Sequence, residues 1–476
     1  MSTGTPRVSS ALALFAALGG CGLLSQGDSG TNAPPDAGLA GGPNRPEGSA
    51  GADAETSTTP RDGESRLTTD ANGRTDRDLQ PMRGPLPPTN GVNFPFPQNR
   101  QSKGCAYPTG YRNEDVNAAY QQWKNDTVTS SGAGGFLRIQ RSSSDPVLQT
   151  GSTVSEGIGY GMLIAVYMGD QPLFDALWKY EQLHLDKFGL MDWYISADGS
   201  TSLGLGGATD ADEDMAFALV MADRQWGGQG TLSKTYQKTA IEQITAVWVH
   251  EVLNSDLMLP GDSWGDNSTV NISYFAPAYY RTFKTFGGAL PMPGGGNYNP
   301  TWDATIDTAY STINGALNAT NGNQNNGLVP AWCTSSGSPN ANAIMGGNPT
   351  NYQYDSCRTP FRIALDWCWN AEPRAQAYIA KTSAFFSGIG VQNIADGYGL
   401  NGTPMPQNPG KLSAAFIGPA GVGAMGASTY QSFLDSAYTA VAKRTLLAGG
   451  AYYEDSWTVM SLLMMTGNFL NYTMLP

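Results

Sequence analysis

The chain has 476 residues, and its 27 Lys and Arg side chains against 40 Asp and Glu give a formal net charge of −13 at pH 7. A protein this acidic repels nucleic acids and anionic membrane surfaces, so we expect neither as a partner. Only two histidines are present and the cysteines have no paired metal-ligand spacing, so we also expect no metal and no other cofactor.

The first residues predict export. Arg7 precedes a short apolar segment, Ala11–Gly20, which ends in Leu18-Gly19-Gly20-Cys21. About ten apolar residues are too few to span a bilayer permanently, whereas a basic start and a short apolar core are typical of a secretory signal. Residues 1–21 resemble a lipoprotein-type signal peptide with lipid on Cys21, and a plain signal peptide is the alternative. We expect a protein outside the cytoplasm, held by lipid at the outer membrane or cell surface, or secreted.

Residues 22–97 predict a disordered linker. They are rich in Gly, Pro, Ser, Thr and Asp, and no aromatic residue occurs before Phe94. Such a composition buries too little apolar surface to offset the entropy of ordering the chain. All eleven tryptophans follow this segment. Residues 98–476 therefore predict one large folded domain, which we expect to be monomeric.

Four cysteines remain if Cys21 carries lipid. In an exported protein an even number indicates disulfides. Four cysteines allow three pairings, and the sequence does not choose among them. They are Cys105, Cys333, Cys357 and Cys368.

Helical periodicity dominates the folded part. Apolar residues recur at spacings of three and four, and strand patterns are few and short. Eleven helices are predicted: Glu156–Gly169, Gln171–Lys187, Asp212–Arg224, Ser233–Val252, Ser273–Phe286, Trp302–Ala319, Pro360–Trp369, Ala375–Gly388, Leu412–Val422, Ser428–Leu447 and Tyr453–Phe469. So many helices with so few strands predict an all-α fold with helices in paired layers. No exact repeat is present, so the sequence does not show whether the pairs close into a ring.

Glu156 opens the first of these helices within Ser155–Met162, a segment with three alternating glycines. Because glycine has no Cβ, another molecule can approach the backbone closely. The pattern indicates a carboxyl group presented to a bulky, neutral substrate. The alternative is an ordinary helix start, with Ser155 as N-cap and an acidic residue favoured by the helix dipole.

A second acidic cluster lies in Ala208–Ala216. Thr209 followed by Asp212 resembles a capping box, which accounts for part of the cluster. Asp210 is less well explained, because a residue beside the cap has no need to be acidic. Neighbouring negative charges are costly unless some face a ligand or share a proton.

Asp355 is the third candidate acid. Pro360 fits the first position of a helix, so Asp355 lies in the loop just before it. Arg358 is three residues away and could hold Asp355 ionised, as a catalytic base requires. A structural Asp–Arg clamp is the alternative.

Aromatic rings supply flat apolar platforms for sugar faces. Two loop tryptophans suit this role, and three further aromatic residues are weaker candidates. Core packing is the alternative for each of them. The candidates are Trp193, Trp264, Tyr279, Tyr280 and Trp332.

These residues resemble glycoside hydrolase family 8. The resemblance spans essentially the whole folded part and rests on segments in the same order as in the family: Ser155–Met162, Ala208–Trp226, Ser273–Tyr280, Tyr354–Arg362, Asp396–Tyr398, Phe416–Ala420 and Tyr452–Phe469. It implies an (α/α)6 barrel of paired helices whose long loops form a substrate groove. It also implies an inverting hydrolase with Glu156 as general acid, Asp355 as general base and Asp210 gripping the distorted sugar ring. The substrate-binding residues would be Trp193, Trp264, Tyr279, Tyr280, Arg358 and Trp332.

Inversion requires the carboxyl groups of Glu156 and Asp355 to lie roughly 6.5–9.5 Å apart. The resemblance favours internal β-1,4 linkages of a glucan such as cellulose. Mixed-linkage glucan, xylan and chitosan stay open, because the relatives that the chain resembles divide among these substrates. Ile272 and Ala331 depart from the family pattern, and Ala331 lies beside a candidate platform. A lipoprotein that binds polysaccharide without cleaving it is the second hypothesis. An eliminating lyase is the third, and scarce Lys, Arg and His argue against it.

Overall fold

A computed structural model describes residues 91–141, 148–286, 301–344, 347–405, 412–443 and 452–475. The predicted signal peptide, Cys21 and most of the predicted linker lie outside these ranges.

Twelve α-helices occur in the described part of the chain and confirm the predicted all-α fold. In chain order they are α1 (Asn113–Thr127), α2 (Ser155–Met168), α3 (Gln171–Glu181), α4 (Thr209–Trp226), α5 (Tyr236–Glu251), α6 (Pro277–Phe286), α7 (Trp302–Ala316), α8 (Thr359–Asn370), α9 (Pro373–Ile389), α10 (Ala414–Ala424), α11 (Gln431–Ala442) and α12 (Tyr452–Met465).

The even-numbered helices form a closed inner ring. Each packs against the next even-numbered helix, and α12 packs back against α2. The odd-numbered helices lie outside: α3 packs on α2, α5 on α4, α7 on α6 and α9 on α8, while α1 packs on α12 and α11 on both α10 and α12. Six helix pairs closed in this way are an (α/α)6 barrel, as the family resemblance implies.

Three of the inner helices, α2, α10 and α12, have almost no polar face toward solvent. Every residue of α10 and α12 is buried, and in α2 only Met168 is not. A helix enclosed on all sides needs neighbours on all sides, which a ring with an outer layer provides. The outer helix α1 instead buries a single stripe that includes Val116, Tyr120 and Trp123. The stripe at positions 116, 119, 120 and 123 has the spacing of an amphipathic helix. The sequence prediction nevertheless omits α1, although this spacing was a signal that could have located it.

The glycines of α2 serve packing rather than substrate access. A Cβ on Gly161 would approach a side-chain carbon of Leu177 to 2.8 Å, and one on Gly159 would approach the carbonyl of Ala211 to 3.2 Å. Gly159 and Gly161 therefore let α2 pack closely against α4 and α3. The interpretation that the glycines clear space for a substrate is wrong, because the space they leave is filled by the protein itself.

Short strands lie around the rim where the inner helices begin. β1 (Val128–Thr129) pairs with β2 (Arg138–Ile139), and β4 (Tyr194–Ile195) lies between β3 (Thr153–Val154) and β5 (Ser202–Gly204), all antiparallel. Since each inner helix is followed by an outer helix that returns, α2, α4 and α8 all begin at this rim. The sheet runs directly into α2 and fixes where its first turn lies.

The N-terminal segment is attached to the barrel. The N–H of Val92 donates to the carbonyl of Arg224 at 2.8 Å, and the buried ring of Phe94 stacks on Tyr472 at 4.4 Å between centroids. Contacts with the barrel thus begin before the predicted boundary at residue 98. Cys105 and Cys368 form a disulfide, which selects one of the possible bridges.

The other two cysteines of the domain, Cys333 and Cys357, are buried free thiols. The expectation that all four cysteines pair is therefore wrong for these two.

Candidate active site

Three acidic residues meet at the rim where the inner helices begin. Glu156 lies in the first turn of α2 and Asp210 in the first turn of α4, while Asp355 directly precedes a 3-10 turn, Ser356–Arg358, that leads into α8. All three are buried, with exposures of 6 %, 2 % and 4 %. Residues far apart in the chain are therefore brought together by the shared direction of α2, α4 and α8.

One guanidinium group contacts all three acids. Arg358 Nη1 lies 2.5 Å from Glu156 Oε2 and 2.5 Å from Asp210 Oδ2, and Nη2 lies 3.4 Å from Asp355 Oδ1. Arg358 is itself buried, with its guanidinium 5.0 Å from the centre of the Tyr274 ring. A buried charge is costly unless it is paired, so the arginine and the acids form one electrostatic unit. The sequence pairs Arg358 with Asp355, but its shorter contacts are with Glu156 and Asp210.

This bridge limits the distance between Glu156 and Asp355. The terminal nitrogens of one guanidinium group are about 2.3 Å apart. The oxygens of Glu156 and Asp355 that face Arg358 therefore lie at most about 8 Å from each other. This upper limit is compatible with the roughly 6.5–9.5 Å that inversion requires, and it also admits the separation of about 5 Å that is typical of retention.

Glu156 is surrounded by hydrogen-bond donors. The Tyr452 hydroxyl donates to Oε1 at 2.8 Å, on the other side of the carboxyl from Arg358. Burial raises the pKa of Glu156 to about 8. The positive charge of Arg358 and the Tyr452 hydrogen bond oppose this rise, whereas the negative charge of Asp210 adds to it. Glu156 is therefore able to hold a proton at neutral pH.

Asp355 accepts neutral hydrogen bonds. Gln353 Nε2 donates to Oδ2 at 2.9 Å, and Trp332 Nε1 donates to the same oxygen at 3.2 Å. Burial raises the pKa of Asp355, whereas Arg358, Gln353 and Trp332 lower it. The two sides of the site thus differ: Glu156 lies between a tyrosine and a cation, and Asp355 is held by an amide and an indole.

A second arginine, Arg362, binds the acidic residues of α4 next to the site. Arg362 lies one turn beyond Arg358 on α8 and contacts both oxygens of Asp214, at 2.9 and 3.0 Å. Its Nη2 also donates to the main-chain carbonyl of Asp210 at 3.4 Å. Burial raises the pKa of Asp214 to about 6, against the effect of Arg362. The acidic residues of α4 therefore have different roles. Asp210 pairs with Arg358 at the site, whereas Asp214 pairs with Arg362 one turn further along α4.

The two predicted helix caps are not formed. The N-cap of α2 is Val154 rather than Ser155, and the N-cap of α4 is Ala208, with no side-chain cap bond at either position. Thr209 lies inside α4, so it forms no capping box with Asp212. Helix capping therefore does not explain the acids at these two helix starts.

Of the predicted platforms, Trp332 adjoins Asp355 and Trp264 lies next to Trp332. Trp332 is fully buried and bonds to Asp355, and the half-buried ring of Trp264 lies 5.7 Å from it between centroids. Trp193 is next to Glu156 through its backbone, since its carbonyl accepts from the N–H of Ser155 at 3.0 Å, but its ring is only 2 % exposed.

The structure does not bring Tyr279 and Tyr280 to the three acids. Tyr279 on α6 stacks on Phe217 of α4 at 3.9 Å between centroids. Tyr280 stacks on Trp302 at 5.5 Å, and both tyrosines are buried. They lie in the core between helices, which is the alternative that the sequence left open.

Several residues of the site are missing from the sequence prediction. Tyr452 and Gln353 bond directly to the acids, and Tyr274 lies against Arg358. Tyr160 accepts a hydrogen bond from Arg358 Nη1 at 3.3 Å. Tyr160 could have been found because it lies one turn after Glu156 on the same helix face. Tyr452 carries no such local signal, because its partner is 296 positions away.

Two searches of the described residues gave nothing. No group of three or more His, Cys, Asp or Glu there has the geometry to hold a metal ion. None of the described helices combines the length and the apolar character that a membrane crossing requires.

Residues 101–467 match the model of glycosyl hydrolases family 8. The chain is 37 % identical over 363 residues to Endoglucanase A of Acetivibrio thermocellus, covering 75 % of this chain and 70 % of that protein. It is 36 % identical over 386 residues to Endoglucanase 2 of Ruminiclostridium josui, covering 79 % and 77 %.

A solved structure supports the same assignment. The apo structure of a beta-1,3-1,4-glucanase from Paenibacillus sp. X4 matches with a TM-score of 0.70 and 30 % identity, covering 79 % of this chain and 98 % of that one. The Rex8A structure from Paenibacillus barcinonensis, at 22 % identity and a TM-score of 0.59, shares the fold. With the family model matching most of the chain, this protein belongs to glycosyl hydrolases family 8 and is a glycoside hydrolase.

Proposed function

We propose that this hydrolase cleaves internal β-1,4 linkages of a glucan by attack of water with inversion at the anomeric carbon. The observation that carries the proposal is the Glu156–Arg358–Asp355 arrangement. A carboxyl group able to hold a proton and a carboxyl held by neutral donors face one guanidinium, at a separation of at most about 8 Å.

In this mechanism Glu156 is the general acid. It gives its proton to the glycosidic oxygen as the bond between that oxygen and the anomeric carbon breaks. Its raised pKa supports the role, because the donor must be protonated at the working pH.

Asp355 is the general base. A water between Asp355 and the opposite face of the sugar loses a proton to the carboxylate and forms the new bond to the anomeric carbon. The proton that Glu156 gives up and the proton that Asp355 takes up balance over one turnover. Asp210 contacts the sugar ring from the floor of the site, where its carboxylate stabilises the positive charge that develops in the transition state.

The aromatic residues beside Asp355 support a sugar subsite there. Trp264 is half-buried, so part of its ring is available as a platform, and it packs against the buried Trp332 with the two ring planes tilted by 44°. Because Trp332 also donates to Asp355, the platform and the base are held in one fixed relation.

The relatives support a glucan as substrate. Proteins named as endoglucanases are 37 %, 36 % and 34 % identical to this chain. Mixed-linkage β-1,3-1,4-glucan is the second candidate, because the beta-1,3-1,4-glucanase structure is 30 % identical and matches nearly its whole length. Xylan is a weaker candidate, since the relative named for xylose release is only 26 % identical.

The test is reducing-sugar release from carboxymethyl cellulose, mixed-linkage glucan, xylan and chitosan. We expect release from the first polymer, from the second, or from both. Glu156→Gln should lose turnover by about 10²- to 10⁴-fold, because the side chain has no proton to give to the leaving oxygen. Its melting temperature and its binding to insoluble glucan should be retained.

Glu181→Gln is the matched control. It makes the same change at a fully buried glutamate on α3, outside the site, and should keep turnover. Turnover retained in Glu156→Gln contradicts the role of Glu156. Binding of the wild type to glucan without any release of sugar favours a polysaccharide-binding protein instead of a hydrolase.

We further propose that lipid on Cys21 holds the domain at a membrane, with residues 22–90 as a tether. The support is the signal-like sequence, and this part of the proposal is independent of the chemistry. Cys21→Ser should move the protein from the detergent phase to the aqueous phase of cell extracts. Equal partitioning of the variant and the wild type contradicts lipidation.

A further inference from the structure

Gln353 lies two residues before Asp355 in a segment whose backbone is fixed on both sides. Tyr352 pairs with Tyr398 through two main-chain hydrogen bonds of 2.9 and 2.8 Å. The carbonyl of Gln353 accepts from the N–H of Cys357 at 2.9 Å. Gln353 is only 5 % exposed. Its side chain therefore lies inside the site and extends from a backbone that is fixed by hydrogen bonds.

The Gln353 amide bonds to Asp355 at two points. Its Nε2 donates to the carboxylate Oδ2 at 2.9 Å, and its Oε1 accepts from the main-chain N–H at 2.8 Å. The two contacts define the orientation of the amide, because a flipped amide would place oxygen against oxygen and N–H against N–H. A buried polar side chain with both ends used in this way has little freedom to rotate.

This arrangement distinguishes the two oxygens of Asp355. Oδ2 accepts two hydrogen bonds, from Gln353 and from Trp332 at 3.2 Å. Oδ1 has only the longer contact of 3.4 Å with Arg358 among the hydrogen bonds of the described residues. Oδ1 therefore keeps the greater capacity to accept from a water.

We propose that Gln353 is a positioning residue of the hydrolytic reaction. Its hydrogen bond to Oδ2 fixes the orientation of the Asp355 carboxylate, so that Oδ1 is the oxygen that accepts the proton of the attacking water. This rests on the proposed function, in which Asp355 is the base. Gln353 does not touch the substrate in this scheme. It acts through the orientation of Asp355, and it stabilises the ionised form of that carboxylate.

Gln353→Met tests the proposal, because methionine keeps the length of the side chain and removes both hydrogen bonds. We expect kcat on the soluble glucan cleaved best to fall about 10- to 100-fold, since a misplaced base loses the near-attack geometry. KM should be unchanged, because the ground-state contacts to the sugar are not altered. The acid limb of the kcat–pH profile should move up by about one unit, because the ionised base loses a donor.

Gln225→Met is the matched control. Gln225 is also buried and also bonds at both ends of its amide, to the N–H and the carbonyl of Phe94. It lies at the far end of α4, about 22 Å along the helix from Asp210. This variant should lower the melting temperature while leaving kcat and the pH profile as in the wild type.

Gln353→Glu is a second test of the proposal. It replaces the first test if Gln353→Met fails to fold. When protonated, the introduced carboxyl group still donates to Oδ2 and accepts from the Asp355 N–H, whereas the ionised group repels Asp355. The kcat of this variant should therefore approach that of the wild type at acid pH and fall steeply as pH rises.

The proposal is overturned if Gln353→Met keeps the kcat and acid limb of the wild type, or if Gln353→Glu shows no recovery at acid pH. A wild-type protein that releases no sugar from any of the polymers would instead contradict the proposed function itself. The two failures are therefore distinguishable.

Discussion

Removing the hydroxyl of Tyr452 should make the enzyme work at higher pH. In Tyr452→Phe the ring is kept, including its contact at 5.6 Å with the guanidinium of Arg141, and the hydrogen bond to Glu156 Oε1 is lost. A hydrogen bond to a charged group contributes about 1.5–3 kcal/mol. Since one pH unit corresponds to about 1.4 kcal/mol, the pKa of Glu156 should rise by about one to two units from its value of about 8.

The sign follows from the role of Glu156. As general acid it must be protonated, so activity is lost as pH rises through its pKa. The hydrogen bond from Tyr452 favours the ionised form, and its removal therefore moves the alkaline limb of the kcat–pH profile upward. Tyr167→Phe is the control, because Tyr167 is a buried tyrosine on the same helix as Glu156 and its hydroxyl donates to the Leu470 carbonyl. An alkaline limb that stays in place in Tyr452→Phe, or moves down, would refute this reasoning.

Two further predictions concern stability. Burial raises the pKa of Glu181 to about 8, so the contribution of Glu181 to the free energy of unfolding is most favourable below about pH 4.5 and becomes less favourable as pH rises toward 8. Glu181→Gln should therefore raise the free energy of unfolding by up to about 3 kcal/mol at pH 7 and by little at pH 4. Urea unfolding at the two pH values measures both effects, and an equal gain at both would contradict the prediction. Replacing Cys105 and Cys368 by Ser should cost about 2–4 kcal/mol of unfolding free energy without changing kcat, and a reductant should then destabilise the wild type only.

The sequence was sufficient for the parts of the fold that local patterns determine. Apolar spacing located eleven of the twelve helices of the described residues, and acids at helix starts located Glu156, Asp210 and Asp355. The ends of the helices were less predictable, because tertiary pairing competes with local preference. The predicted Gln171–Lys187 ends at Glu181, since Leu185 pairs with Met191 instead of extending the helix.

The electrostatics of the site could not be predicted in the same way. Arg358 is 202 positions from Glu156, and only the direction of α2 and α8 in the closed ring brings them together. The same holds for Tyr452, which reaches Glu156 because α12 closes the ring against α2.

The glycines of α2 illustrate a different limit. Their pattern is unusual for a helix, but a backbone without side chains accommodates a neighbouring helix as well as it accommodates a substrate. Only the positions of Leu177 and Ala211 decide between the two.

The stereochemistry of the first product tests the central claim most directly. The proton NMR spectrum of a β-glucan oligosaccharide is recorded in the first minutes of hydrolysis, before the anomers of the new reducing end equilibrate. Attack by a water held between Asp355 and the sugar, with Glu156 on the other side, predicts that the α-anomer forms first. Initial formation of the β-anomer would show retention and would contradict the roles given to both carboxyls.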